Sequence, residues 1–232
     1  MQIRSIALAA LVATSFAAHA DIVALWDYSA TPTTTKQTQS ANGASFAAIG
    51  GIVTSFAGGV TNQALNTATY AAQGAGNLTR GVEYDVDTSG YTDIVLTFAQ
   101  RNSATASAWT TLQYTLDGGD TWTFATTFQM PAAASTTFVS GITFDFSSIT
   151  GANDNPLFGV QLLASFAPGT SAYAATGTGS SYGTGGTIRY DNVLFSGTAI
   201  PDTAPIPEPH TYALMLAGLA AVSLVARRRR AG

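Results

Sequence analysis

The segment Leu112-Gln113-Tyr114-Thr115-Leu116-Asp117-Gly118-Gly119-Asp120-Thr121-Trp122-Thr123-Phe124 decides the fold. Leu112, Tyr114 and Leu116 alternate with Gln113 and Thr115, the period-2 pattern of a half-buried strand. Asp117 to Asp120 is turn chemistry, and Trp122 and Phe124 resume the alternation on the way back. The result is a hairpin, hence antiparallel pairing. Outward from it the same period recurs in Val82, Tyr84 and Val86, in Ile142, Phe144 and Phe146, and in Phe158, Val160 and Leu162. Ile94 to Phe98 is a continuous apolar run suited to a central strand. Ile188, Tyr190, Val193 and Phe195 close the series with one slip in phase, read as a bulge. Ile22 to Tyr28 supplies a first strand with Trp26 inward, whereas residues 31–79 are rich in Ala, Thr and Gly and promise only short strands and loops. With no convincing amphipathic helix in this region, the fold class is all-β: an antiparallel, jelly-roll-like β-sandwich over residues 21–200.

The two ends read as addresses. Met1 to Arg4 is a short basic start, Ile6 to Phe16 an apolar run, and Ala18-His19-Ala20 a small-residue site ahead of Asp21. That layout is a secretory signal peptide over residues 1–20, an N-terminal signal helix that engages the Sec translocon and is cut by signal peptidase between Ala20 and Asp21. At the other end a Pro-rich linker, 201–209, precedes an uncharged stretch of fifteen residues from Tyr212 to Ala226 and then Arg227-Arg228-Arg229-Arg230. Fifteen residues of helix reach roughly 22 Å, against roughly 30 Å of hydrocarbon. Including His210 and Thr211 and letting the first arginines snorkel closes most of that gap, giving a single transmembrane helix at 210–226. The arginines hold the tail, 227–232, in the cytoplasm, so the rest faces outward.

Pro207-Glu208-Pro209, the short apolar helix and the terminal arginines, on a chain with a signal peptide, resemble the PEP-CTERM sorting signal of Gram-negative bacteria. The resemblance covers Ile206 to Gly232, with Ile206 where Val is commonest. It implies recognition and cleavage by an exosortase, a membrane-embedded cysteine enzyme. It further implies a transient stay in the inner membrane and delivery to the cell surface or extracellular matrix, in association with exopolysaccharide or biofilm. An ordinary tail anchor after a Pro-rich stalk is the alternative.

Charge bounds what the body can do. Of 232 residues 9% are charged, where about 25% is usual, which excludes a basic-patch nucleic-acid binder. Residues 21–205 hold Lys36, Arg80, Arg101 and Arg189 against twelve carboxylates, a net charge of −8, and contain neither His nor Cys. Without imidazole or thiol, Ser-His-Asp and Cys-His catalysis and the usual zinc, copper and iron sites are closed. Carboxylate-only glycoside hydrolysis is the common enzymatic route left, with candidates Glu83, Asp85, Asp117, Asp120 and Asp191. No neighbouring pair marks an acid and its partner, so a non-enzymatic protein is expected.

Four local sets carry the remaining expectations. Thr115 through Trp122, with Asp117, Gly119, Thr121 and Trp122 in their places, is similar to the Asp box of sialidases, where it is structural; a sialidase propeller would show several copies, and one is found. Glu83, Asp85 and Asp87, two apart on a strand, share one face that Ca²⁺ could bridge; a solvated face is the alternative, and no other cofactor is expected. From Ala164 to Thr187 runs a long Ser/Gly/Thr/Ala segment whose Tyr173 and Tyr182, with Trp109, offer rings to stack on sugars; a disordered loop is the alternative. Finally, Trp26-Asp27-Tyr28, Thr88-Ser89-Gly90-Tyr91, the hairpin, Phe144-Asp145-Phe146, Asn153-Asp154-Asn155-Pro156 and Arg189-Tyr190-Asp191-Asn192 follow an order that resembles PEP-CTERM exported proteins with a jelly-roll ectodomain. Similar sandwiches include carbohydrate-binding modules, so the resemblance makes glycan binding the alternative function.

Overall fold

In the computed structural model the described residues are 20–29, 39–201 and 209–230. The signal segment up to His19, which includes Ala18, and Pro207 and Glu208 of the sorting motif, lie outside them. The strands are β1 (Ala20–Trp26), β2 (Gln39–Ser40), β3 (Ala44–Ile49), β4 (Val53–Gly58), β5 (Gln63–Ala68), β6 (Gly81–Val86), β7 (Tyr91–Asn102), β8 (Trp109–Thr115), β9 (Thr123–Gln129), β10 (Val139–Asp145), β11 (Phe158–Ala164) and β12 (Ile188–Ala199). They build two antiparallel sheets, a jelly-roll-like sandwich. In one the order is β3-β6-β11-β8-β9; in the other β10, β7 and β12 lie side by side, and β5 and β1 share the far edge of β12.

Sharing one edge requires β12 to change phase. Ile188 to Tyr190 pair with Thr67 to Leu65 of β5, whereas Val193 to Thr198 pair with Trp26 to Ala20 of β1. Against β7 the register shifts between Asp191 and Leu194, where Asn192 sits at φ 48°. This is the bulge read from the Tyr190 to Val193 spacing. The Asp191 carboxylate closes it: Oδ2 accepts the Val60 N–H at 2.6 Å and Oδ1 the Asn192 N–H at 2.8 Å. Gly59 lies so close that a Cβ there would stand 2.5 Å from Oδ2. Burial raises the Asp191 pKa, opposed by these two N–H bonds.

Between the sheets lies an aromatic core. Trp26 meets Tyr84 edge-on at 4.9 Å and Phe195 at 6.1 Å, and Phe158 bridges Phe195 and Phe146. Each large apolar side chain so buried contributes about 1.5–3 kcal/mol, and in a chain with no cysteine such packing carries the stability. The hydroxyls of Tyr28 and Tyr84 satisfy each other at 2.9 Å inside it.

Two details depart from the sequence reading. Leu116 falls beyond β8, and Phe124 is 61% exposed, because the β8–β9 register shifts between Leu112 and Gln113 and sets Phe124 opposite Gln113 on the outer face. The Ala/Thr/Gly-rich segment yields three six-residue strands, β3, β4 and β5, whose regularity comes from pairing with β6 and with each other.

Residues 200–232 form a separate unit whose described helix, α1, runs Pro209–Arg230. Leu214, Met215, Leu216, Leu219 and Val222 are all exposed on it. Among the described residues no helix is long and apolar enough to cross a membrane, in contrast to the span expected at 210–226. The physical reason is the fifteen-residue limit of the uncharged stretch, after which Arg227 to Arg230 occupy the last turn.

Replacing Asp191 by Ala removes the acceptor of the Val60 N–H, leaves the Asn192 N–H without its partner, and releases the β4–β5 turn. Urea unfolding of Asp191→Ala is expected to show a loss of about 2 kcal/mol, with Asp191→Asn losing less.

Candidate functional site

The outer face of the five-stranded sheet follows from strand alternation. Leu112, Val160, Leu162, Val82 and Tyr84 point into the core, so Gln113, Gln161 and Glu83 point out. Register then aligns them: Phe124 stands opposite Gln113, Gln113 opposite Gln161, Gln161 opposite Glu83, and Glu83 opposite Ala47. The row crosses all five strands. Gln161 Nε2 donates to Glu83 Oε2 at 2.6 Å, while Gln113 makes no side-chain hydrogen bond among the described residues. In the next row Ser45 Oγ donates to Asp85 Oδ2 at 2.9 Å. Gly159 between Asp85 and Thr115 keeps that row open, since a Cβ there would meet Asp85 Oδ1 at 2.8 Å and Thr115 at 2.9 Å. Trp109, half-buried, ends β8 opposite Gln129.

Carboxamides that can donate and accept, a carboxylate and the Phe124 ring thus share one row of the outer face, with Trp109 two rows away along β8. Sequence reading missed Gln113, Gln161 and Phe124. The two glutamines are ordinary outward polar residues until the register sets them side by side.

Calcium does not fit Glu83, Asp85 and Asp87. Residues two apart on a strand stand about 6.6 Å apart, and Ca²⁺ needs its oxygens at about 2.3–2.6 Å. Each carboxylate has a separate partner: Gln161 for Glu83, Ser45 for Asp85, and the Ser89 N–H, at 2.9 Å, for Asp87. Among the described residues no group of three His, Cys, Asp or Glu could hold a metal ion.

Tyr173 is not an exposed platform. It is 4% exposed, stacks on Tyr182 at 4.4 Å and meets Phe166 edge-on at 4.6 Å. Its hydroxyl donates to the Gly76 carbonyl and that of Tyr182 to the Ala71 carbonyl, both at 2.7 Å. Burial raises both phenol pKa values, that of Tyr182 to about 12. These rings fasten the 165–187 segment to the sandwich. Beneath it Asn102 Nδ2 donates to the Ser107 carbonyl at 2.8 Å and to Thr176 Oγ1 at 3.1 Å. The segment walls an open cleft of about 560 Å³ between Gln129–Ala132 and Ala175–Ser180.

The β8–β9 corner is a closed polar cage. Asp117 Oδ1 accepts from Thr115 Oγ1 at 2.7 Å and the Thr121 N–H at 2.9 Å, and Oδ2 accepts from Thr121 Oγ1 at 2.5 Å. Thr115 Oγ1 takes the Gly119 N–H at 2.9 Å, and Gly118 and Gly119, at φ 74° and 97°, supply the left-handed backbone. The Trp122 ring lies 3.8 Å from where a Gly119 Cβ would stand. Hydrogen bonds from Thr121, then Thr115, hold the Asp117 pKa at about 2.

The chain is thus a β-sandwich followed by a helix that ends in arginines. Its residues 205–230 match the PEP-CTERM protein-sorting motif, as the Pro-Glu-Pro triplet implied. No curated protein matches the chain. Among solved structures, it is similar to the CBM22-1 xylan-binding domain from Paenibacillus barcinonensis Xyn10C. The identity there is 13%, over 79% of this chain and 99% of that one, with a TM-score of 0.48. The CBM22-1–GH10 modules of Clostridium thermocellum xylanase Xyn10B, complexed with xylohexaose, match at 7% identity over 80% of this chain and 29% of that one, with a TM-score of 0.44.

Because the folded Asp117 pKa is about 2 against an ordinary 3.8, its charged form stabilises the fold in full above pH 3.8 and ceases to as pH falls through 2. Melting curves of the wild type and Asp117→Asn are expected to differ at neutral pH, with the variant lower, and to converge as pH approaches about 2.

Proposed function

We propose that this is an exported surface or extracellular-matrix protein, processed by an exosortase, whose sandwich binds polysaccharide without catalysis. The sorting motif at 205–230 supports the route, and the Gln113–Gln161–Glu83 row beside Phe124 is the observation that carries the binding. On this reading the Sec translocon delivers the chain and signal peptidase cuts before Asp21. The exposed apolar side chains of α1 find lipid during the inner-membrane stage, with arginines snorkelling at its end. Exosortase then removes this helix, and the sandwich passes to the cell surface, where exopolysaccharide or biofilm matrix supplies its ligand.

The side chains support a binding rather than a hydrolytic role. Asp117, held ionised down to pH about 2, is no proton donor, and Asp191 is sealed by Val60, Asn192 and Gly59. Glu83, the one glutamate of the body, is engaged by Gln161.

Calorimetry with bacterial exopolysaccharides tests the binding. Gln113→Ala and Gln161→Ala are each expected to weaken it by about threefold to tenfold, with thermal stability nearly unchanged in Gln113→Ala and lowered by about 1 kcal/mol in Gln161→Ala, where a buried side chain loses its bond to Glu83. Unaltered binding in both variants, or release of sugar from the polysaccharide, contradicts the reading. For the route, mass spectrometry of the exported protein is expected to find a C-terminus lacking Arg227–Arg230; an intact tail on the surface form contradicts it.

A further inference from the structure

The other sheet carries a different chemistry on its outer face. Gln100, Asn102, Ile188 and Tyr190 are buried, so the residues between them, Arg101 and Arg189, point out. They are direct partners across the β7–β12 pairing. Like charges so opposed repel and cost stability. The body has four cations in all, and two of them occupy this pair. Arg189 is fixed in place: Nε donates to Asn66 Oδ1 at 3.2 Å and NH1 to the Gly58 carbonyl at 3.1 Å. Asn66 is held in turn by donating to Ser55 Oγ at 3.1 Å. Among the described residues neither guanidinium meets a carboxylate, and the Arg101 side chain makes no hydrogen bond.

Both arginines line a hollow of about 100 Å³ with Ser103, Ser135 and Thr187. Ser103 Oγ accepts the Thr187 N–H at 2.8 Å, which leaves its O–H to donate into the hollow. The hollow is small, with room between the guanidiniums for one compact group such as a carboxylate or sulfate. Two guanidiniums with fork geometry and added hydroxyl donors are the chemistry that binds such an oxyanion bidentately. An anion between the two guanidiniums also cancels their mutual repulsion.

We infer that Arg101 and Arg189 form a second binding site, on the sheet opposite the carboxamide row, for the anionic group of an acidic polysaccharide such as a uronate carboxylate. The carrier of the anion rests on the polysaccharide reading above; the site itself rests on the paired arginines and their hollow. Its specificity is electrostatic. The body, residues 21–205, carries a net −8 and repels acidic polymers elsewhere on its surface, which favours docking of an acidic glycan at the paired arginines.

The test titrates the full chain, kept in a polyoxyethylene detergent free of sugar headgroups, with oligogalacturonate, with a neutral oligosaccharide of matched length, and with inorganic sulfate. The Arg227–Arg230 tail is common to all variants, so only differences between variants are read. The wild type is expected to bind oligogalacturonate in a salt-sensitive manner. Arg101→Gln with Arg189→Gln is expected to weaken it by about tenfold or more, and the paired Arg→Lys variants to lose less. Relief of repulsion offsets the lost Arg189 bonds to Asn66 and Gly58, so the Gln variant is expected to melt within a few degrees of the wild type, which keeps loss of binding distinct from loss of fold. Equal affinity of the Gln variant and wild type, absence of oligogalacturonate binding, or sulfate bound as tightly as the oligomer each overturns the proposal. Loss of neutral-sugar binding in Gln161→Ala reads the carboxamide row alone, so the two faces fail or stand separately.

Discussion

One carboxylate lets two strands share an edge. Asp191 takes up the N–H groups of Val60 and Asn192 where β12 leaves β5 and joins β1, and by doing so ties the β4–β5 turn to the bulge. The phase change keeps Tyr190 inward before it and Val193 and Phe195 inward after it, so the aromatic core continues past the junction. The same arrangement sends Arg189 outward beside Arg101. A buried charge of this kind is costly unless fully hydrogen-bonded, and both of its oxygens are.

The sandwich offers two outer faces of opposite character. On the five-stranded sheet Glu83 and Asp85 stand among glutamines and hydroxyls; on the other, the two arginines stand beside Asn66 and Ser55. Neither contains an imidazole or thiol, which closes nucleophile–imidazole and thiol chemistry on both faces. A ligand rich in hydroxyls and carrying acid groups matches the two chemistries together. An exported protein meets such polymers outside the cell, which is where the sorting motif at 205–230 directs the chain.

Much of the fold was legible in residue order because period-2 alternation reports which side of a strand is buried. Tyr190 followed by Val193 disclosed the bulge, since two inward residues three apart require a slip in phase. The strands between residues 39 and 68 were not legible, because Ala, Thr and Ser on both faces leave no contrast and pairing partners alone set their registers. Phe124 misled for a related reason: the register shift at Leu112–Gln113 lies in the backbone and leaves no mark in side-chain type. Tyr173 reads the same in a buried latch as on a sugar platform, and its contacts decide for the latch. The carboxamide row was hidden most completely. Gln113 and Gln161 are 48 positions apart in the chain, and only the β8–β11 register makes them neighbours.

The most direct measurement is a set of ¹⁵N–¹H correlation spectra of the exported protein during titration with bacterial exopolysaccharides. The expected result is a set of shifts centred on the Gln113 and Gln161 side-chain amides and the backbone of Phe124, with the Val60 and Asn192 amides at the bulge unmoved. Shifts confined to other surfaces, or none with any polysaccharide at saturating concentration, would contradict a glycan-binding face on the five-stranded sheet.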